Sequence, residues 1–222
     1  MPVRINLKVI EIWNNDSMEN AVRAYEAEGP QKKGQIVFYG PSYFTRWRSG
    51  GPYYDHRPMA EDLRGASGAK CVINRGFGSS SAEHQLYYYD RMIRPLAPSV
   101  LVYAFDANGT NFGYSLEESW ELAQRVVAWA ECDFPGIHIY LLGSYPPRDA
   151  RNLTEEQNAR RLDDAVRAFC EEKDTRHFLD PKPAFENAPR DVFADHIHFN
   201  QKGYDIYGAF FREALKDELA RF

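Results

Sequence analysis

The stretch VLVYAFDANG, residues 100–109, decides how this sequence is expected to fold. Its first six residues are continuously apolar, which is typical of a parallel strand that is covered on both faces. An Asn-Gly pair follows and indicates a turn. The stretch therefore predicts a buried strand that ends in a polar loop.

Four further short apolar runs flank this strand: QIVFY (35–39), KCVI (70–73), IHIYLL (137–142) and HFLD (177–180). Helical patterns lie between and after them, at residues 81–96, 115–131, 152–172 and 200–219. Ser115 and Glu118 have the spacing of a capping box. This alternation predicts an α/β domain of three layers with a five-stranded parallel sheet.

Bulk composition narrows the classes of function. The 222 residues fit one large domain, and the net charge of −5 argues against a nucleic-acid partner, which would need a basic face. No apolar run approaches the roughly 18 residues of a membrane span, and the N-terminus lacks the pattern of a signal peptide. Three scattered cysteines, Cys71, Cys132 and Cys170, predict buried free thiols and a cytoplasmic location.

Polar residues follow the first two strands, where parallel sheets carry their sites. Ser42, in GPSYF (40–44), stands at a strand-to-helix turn that suits a nucleophile, although an ordinary turn serine has the same pattern. Gly76 and Gly78, in NRGFGSSS (74–81), predict a tight turn that presents backbone N–H groups. A glycine loop that leads into a serine N-cap is the alternative.

Two later segments add candidate groups. Asn108 and Asn111 each carry an amide that can donate to an oxyanion. Asp195 and His198 are three residues apart, so the carboxylate can orient the imidazole for a serine nucleophile. Together with His196 they also suggest a zinc site, but no HExxH motif or cysteine pair supplies a further ligand.

These blocks, in this order, resemble the SGNH (GDSL-type) hydrolases from about Gly34 to about Leu215. The similarity is greatest to the branch whose blocks read GSSS…W, NRGFGGS, GxND and DGxHxNxxGY. The matching segments are IVFYGPSYFTRW, VINRGFGSS, PSVLVYAFDANGTNFGYSLEE and DHIHFNQKGY.

The resemblance implies a flavodoxin-like fold and a cofactor-free, metal-free esterase. It implies Ser42 as nucleophile, His198 as base and Asp195 as the orienting acid. The backbone N–H groups of Ser42 and Ser79 and the side chain of Asn108 would then form the oxyanion hole. Asn111 stays a second candidate for that asparagine, because GTN (109–111) also spells G-x-N.

Among the departures from the family pattern, Pro41, Ser79 and Asp106 stand where the family usually has other residues. They support a rival prediction, a non-catalytic binding protein with the same fold. A metal-dependent hydrolase built on Asp195, His196 and His198 is a further rival.

The substrate prediction depends on residues 43–57, which are rich in Tyr, Trp and Arg and suit a sugar ring or an anionic group. We expect a small-molecule ester with a short acyl group, such as acetyl on a carbohydrate. The expected substrate contacts are Tyr43, Trp47, Asp106 and Asn111. The expected organisation is a single hydrolase-like domain over 31–222, preceded by an extension over 1–30 that adds an edge strand and helix or a subunit contact; the oligomeric state is left open.

Overall fold

The computed structural model describes residues 17–51, 54–105, 108–145 and 153–222. Five strands form one parallel sheet in the order β2-β1-β3-β4-β5. The strands are β1 (Ile36–Gly40), β2 (Val72–Gly76), β3 (Val100–Tyr103), β4 (His138–Leu142) and β5 (Arg176–Leu179). This is the strand order of a flavodoxin-like sheet, so the predicted fold class is confirmed.

Helices connect the strands and cover both faces of the sheet. They are α1 (Ser17–Ala27), α2 (Ser42–Thr45), α3 (Met59–Asp62), α4 (Ala82–Met92), α5 (Leu116–Asp133), α6 (Leu153–Glu171), α7 (Lys182–Phe185), α8 (Gln201–Ala214) and α9 (Lys216–Leu219). Short 3-10 turns lie at Arg94–Leu96, Thr110–Phe112 and Arg190–Val192. The expected capping box is present, since Ser115 and Glu118 exchange hydrogen bonds at the start of α5.

Several predicted elements differ from the structure at their ends, and the last predicted helix, over 200–219, is interrupted at Leu215 between α8 and α9. The helix expected over 81–96 ends at Met92, and a 3-10 turn containing Pro95 follows, because proline lacks the N–H that a continuing helix needs. The second strand was expected at 70–73 but begins at Val72 and runs to Gly76, which pairs with Gly40. That pairing brings the carboxyl ends of β1 and β2 to the same level.

Alternate residues of each strand feed two separate cores. In β1, Val37 and Tyr39 pack with α1, α4, α5 and α6 on one face. Ile36 and Phe38 pack with α2, α3, α8 and α9 on the other face. Because both faces are covered, the central strands β1 and β3 are apolar, whereas the outer strands β2 and β5 also carry polar residues.

The N-terminal region is only partly described. Met18, Val22 and Tyr25 of α1 are buried in the core, and the Tyr25 hydroxyl donates to the Gly76 carbonyl at 2.5 Å. The alternating segment expected to form an edge strand lies within 1–16, outside the described residues. The boundary near residue 30 stays a prediction.

Exposure of the thiols differs from the expectation at one position. Cys71 and Cys170 are buried free thiols, as predicted, whereas Cys132 is exposed near the end of α5, so the prediction was wrong for that residue. Within the described ranges, we find no helix with the length and apolarity to traverse a bilayer.

Candidate active site

Three side chains meet beyond the carboxyl end of β1. Ser42 is the first residue of α2, and Asp195 and His198 lie in the loop before α8. His198 Nε2 lies 2.9 Å from Ser42 Oγ, and His198 Nδ1 lies 2.8 Å from Asp195 Oδ2. With the carboxylate on Nδ1, the neutral ring carries its proton there, and Nε2 is left to accept from the serine hydroxyl.

Close packing of α2 against the sheet determines where Ser42 lies. A Cβ on Gly76 would lie 2.4 Å from the backbone nitrogen of Thr45, so α2 sits directly on the end of β2. A Cβ on Gly40 would lie 2.9 Å from Ala104 Cβ. Glycine at both positions therefore lets the strand ends and the serine-bearing turn approach each other.

The loop over 194–198 folds around its own carboxylate. Asp195 Oδ1 accepts hydrogen bonds from the backbone N–H groups of Ile197 at 2.8 Å and His198 at 2.7 Å. The Tyr43 hydroxyl donates to the Ile197 carbonyl at 2.8 Å. The local turn thus places the Asp195 carboxylate beside the His198 imidazole. Tyr43, the residue next to Ser42, holds this turn against α2.

The surroundings lower the pKa values of both Asp195 and His198. Burial acts to raise the pKa of Asp195, but the two backbone N–H donors and the His198 imidazole outweigh it and hold that pKa well below its usual range. Burial lowers the pKa of His198, the hydrogen bond that its Nδ1–H donates to Asp195 opposes this, and the charge of Arg46 adds to the lowering. At neutral pH the pair is therefore a carboxylate beside a neutral imidazole, as a general base requires.

The loop after β2 carries the next group. Ser79 is exposed and has a left-handed φ of 61°, a conformation that normally selects glycine. A tight turn is present over 77–80, where the Ser80 N–H donates to the Phe77 carbonyl, but neither Gly76 nor Gly78 has a positive φ. Ser79 instead adopts the backbone conformation that a glycine would take.

A buried amide joins this loop to the end of β3. Gln85 has no exposed surface, and its Nε2 donates to Ser80 Oγ and to the Ala104 carbonyl, both at 3.1 Å. Asn108 Nδ2 donates to the Ser80 carbonyl at 3.0 Å. The side chains of Gln85 and Asn108 thus fix the residue beside Ser79 from two directions.

The two candidate asparagines have different positions. Asn108 is half-buried against Ser80, whereas Asn111 is exposed in a 3-10 turn and its N–H donates to the Asn108 carbonyl. Of the two asparagines, Asn108 is thus the one whose side-chain amide contacts the loop that carries Ser79. Asp106, predicted to contact substrate, lies outside the described residues.

Both aromatic residues predicted to bind substrate are buried, and this corrects the expectation. Trp47 has no exposed surface, and its Nε1 donates to Asp62 Oδ2 at 2.8 Å in the core beneath α2. Tyr43 is 4% exposed, and its ring stacks on Tyr145 at 3.8 Å between centroids. These rings support the serine-bearing turn and leave almost no surface for a sugar.

The zinc alternative finds little support in the geometry. Both ring nitrogens of His198 are already engaged, one with Asp195 and one with Ser42, while His196 is exposed. In the part of the chain that the structure describes, no three His, Cys, Asp or Glu side chains are grouped so as to hold a metal ion.

Two residues beside these groups were not identified from the sequence. Arg46 donates from Nη1 to Asp195 Oδ2 at 3.0 Å, and Gln85 joins the loop after β2 to the end of β3. Arg46 follows Ser42 by four residues, one helical turn, so its spacing was a usable signal. Gln85 gave no signal, because a glutamine within a helix is usually exposed.

Comparison with known proteins gives a family match over most of the chain. Residues 38–206 match the model of the GDSL-like lipase/acylhydrolase family. Platelet-activating factor acetylhydrolase IB subunit alpha1 of Bos taurus is 26% identical over 185 residues, which cover 81% of this chain and 74% of the relative.

Solved structures share the fold at lower identity. A GDSL-like lipase from Bacteroides thetaiotaomicron has a TM-score of 0.69 at 15% identity and covers 90% of this chain and 98% of its own. A catalytic mutant of an acetylxylan esterase from Geobacillus stearothermophilus has a TM-score of 0.64 at 14% identity, with 83% and 95% covered. Because the family match spans most of the sequence, the chain belongs to the GDSL-like lipase/acylhydrolase family.

Proposed function

We propose that this protein is a serine ester hydrolase that removes short acyl groups through an acyl-enzyme intermediate. The observation that carries the proposal is the continuous row of hydrogen bonds from Ser42 through His198 to Asp195. The fold brings Ser42 to Asp195 and His198 from more than 150 positions away in the chain, although an ordinary turn serine needs no such partners.

Each of these three residues has a defined role in the proposed reaction. Ser42 Oγ attacks the ester carbonyl while His198 Nε2 takes the hydroxyl proton, and the protonated ring then gives it to the leaving alcohol. Asp195 keeps the ring in the correct tautomer and stabilises the imidazolium. Water, deprotonated by His198, attacks the acyl-enzyme, releases the acid and returns Ser42 to its free form.

The developing oxyanion is assigned to the N–H groups of Ser42 and Ser79 and to the amide of Asn108. Ser42 is the first residue of α2, where helical N–H groups have no partner within the helix. The amide of Asn108 has two hydrogens and uses one on Ser80, which leaves one for substrate. Loss of a single donor of this kind costs about 3 kcal/mol in the barrier.

Two of the departures that favoured a non-catalytic protein are compatible with this chemistry. Pro41 stands at the N-cap of α2 with φ of −81°, and its carbonyl accepts the N–H groups of Phe44 and Thr45. Ser79 adopts the left-handed φ that a glycine would provide there. Proline and serine thus fulfil the backbone roles of the residues they replace.

Short acyl esters are the favoured substrate class. The bovine relative is named an acetylhydrolase subunit, and the Geobacillus neighbour is named an acetylxylan esterase, so both names concern acetyl groups. We expect an acetyl ester to exceed an octanoyl ester in kcat/KM by about tenfold or more. A screen of nitrophenyl esters of increasing chain length and of acetylated sugars measures this directly.

The nucleophile is tested by Ser42→Ala. We expect nitrophenyl acetate hydrolysis to fall by about 10³-fold or more while the folded structure is retained. Ser49→Ala is the matched control, because Ser49 is an exposed serine of the next loop and should keep full activity. Undiminished turnover in Ser42→Ala would refute the assignment.

A fluorophosphonate probe separates the enzyme from the non-catalytic alternative. An activated Ser42 should be labelled, and mass spectrometry of the tryptic peptide should locate the adduct on that residue. A folded protein that neither reacts with the probe nor cleaves any ester of the screen would favour a binding module.

A further inference from the structure

Arg46 contacts both ends of the hydrogen-bonded chain Ser42–His198–Asp195 on which the proposed function depends. It follows α2 directly, and its backbone N–H donates to the Ser42 carbonyl at 2.9 Å. Its guanidinium Nη1 donates to Asp195 Oδ2 at 3.0 Å. One residue therefore joins the turn that presents the nucleophile to the carboxylate at the far end of the row.

The two oxygens of Asp195 are differently occupied. Oδ1 accepts the backbone N–H groups of Ile197 and His198 and also lies 3.0 Å from His198 Nδ1. Oδ2 accepts from His198 Nδ1 at 2.8 Å and from Arg46 at 3.0 Å. His198 Nδ1 thus shares Oδ2, the nearer carboxylate oxygen, with the permanently charged guanidinium of Arg46. The guanidinium and the imidazole compete for this acceptor.

We propose that Arg46 is a positioning residue that divides the charge of Asp195 between itself and His198 and so extends the activity to mildly acidic pH. The proposal rests on the proposed function, because it assigns Arg46 a role at that same site. Arg46 does not contact the reacting atoms; it acts through Asp195.

The charged and aromatic neighbours of His198 determine the sign of the effect. Burial and the charges of Arg46 and His196 favour the neutral ring, whereas Asp195 favours the charged ring. The Tyr43 ring, 6.0 Å away between centroids, adds an apolar wall. Removing Arg46 deletes one cause that lowers the pKa of His198 and strengthens the opposing effect of Asp195, so the pKa must rise.

The test compares the neutral variant Arg46→Met with the charged variant Arg46→Lys. We expect the acid limb of the kcat/KM–pH profile, with nitrophenyl acetate, to move to higher pH in Arg46→Met by about half a unit or more. In Arg46→Lys the limb should stay near its wild-type position. Arg48→Met is the matched control, since Arg48 lies in the same segment but donates to the Tyr54 hydroxyl, and it should leave the limb unchanged.

A second measurement keeps this test separate from the proposed function. The His198 ring is titrated by NMR in the Ser42→Ala background, with and without Arg46→Met, so that no turnover is needed. A rise of the His198 pKa supports the proposal even if no ester is cleaved, and Arg46→Gln serves as the neutral variant if Arg46→Met does not fold. An unchanged or lower pKa, or an equal rise in Arg46→Lys, would overturn it.

Discussion

Replacement of Gly76 by alanine is the sharpest test of how the fold holds the proposed nucleophile. The new Cβ would lie 2.4 Å from the Thr45 backbone nitrogen and 2.6 Å from Phe44 Cβ. Backbone cannot swing aside as a flexible side chain can, so α2 must lift away from β2. The glycine therefore determines how deeply the serine-bearing turn sits.

The size of the effect follows from that distance. Ordinary contact between such atoms is about 3.5 Å, so α2 must move by about 1 Å. Ser42 Oγ and His198 Nε2 are now 2.9 Å apart, and a displacement of that size along their line breaks the hydrogen bond. A misplacement of about 1 Å typically costs about 10²-fold in rate, and overpacking costs about 1–3 kcal/mol of stability.

Two assays measure these losses on the same pair of proteins. Urea unfolding gives the change in stability, and nitrophenyl acetate hydrolysis gives kcat/KM. Gly78→Ala is the matched control, because a Cβ there meets nothing within 4 Å, and both quantities should stay near wild type. If Gly76→Ala kept full activity and stability, α2 would not depend on this close approach and the reasoning would be refuted.

Three other predictions concern the loops and the base. Gln85→Leu leaves Ser80 Oγ and the Ala104 carbonyl without their donor and should cost about 2–4 kcal/mol in urea unfolding, whereas Gln157→Leu on the exposed face of α6 should cost less than about 0.5 kcal/mol. Ser79→Gly keeps the backbone N–H and should keep the activity, while Ser79→Pro removes that donor and is incompatible with φ of 61°; equal kcat/KM in the two variants would exclude Ser79 from the oxyanion hole. Because the pKa of His198 lies below its ordinary 6.5, the neutral ring that acts as the base is still the main form just below pH 6.5. Wild-type kcat/KM should therefore decline only at a pH below 6.5, and a decline centred above 6.5 would contradict the lowered pKa.

The sequence by itself determined the architecture and the order of the candidate groups. Parallel strands covered on both faces are apolar along their whole length, so runs such as VLVYAF could be identified without any tertiary information. The Asp195–His198 pair was also accessible, because three residues of one turn bring the two side chains together whatever the rest of the chain does. Strand ends shifted by one or more residues where pairing with a neighbour, as between Gly76 and Gly40, extended a strand.

Only the tertiary structure decided which neighbours those groups have. Trp47 belongs to an aromatic-rich segment that suits a sugar, yet packing buries it completely. Gly76 and Gly78 predicted a tight turn, but the left-handed residue of that turn is Ser79, and Gly76 ends β2 and allows the close approach of α2. Arg46 meets Asp195 across 149 positions of sequence. Local pattern records backbone preference and periodicity, whereas contacts between distant segments depend on how the helices pack on the sheet, and the proposed site is built from such contacts.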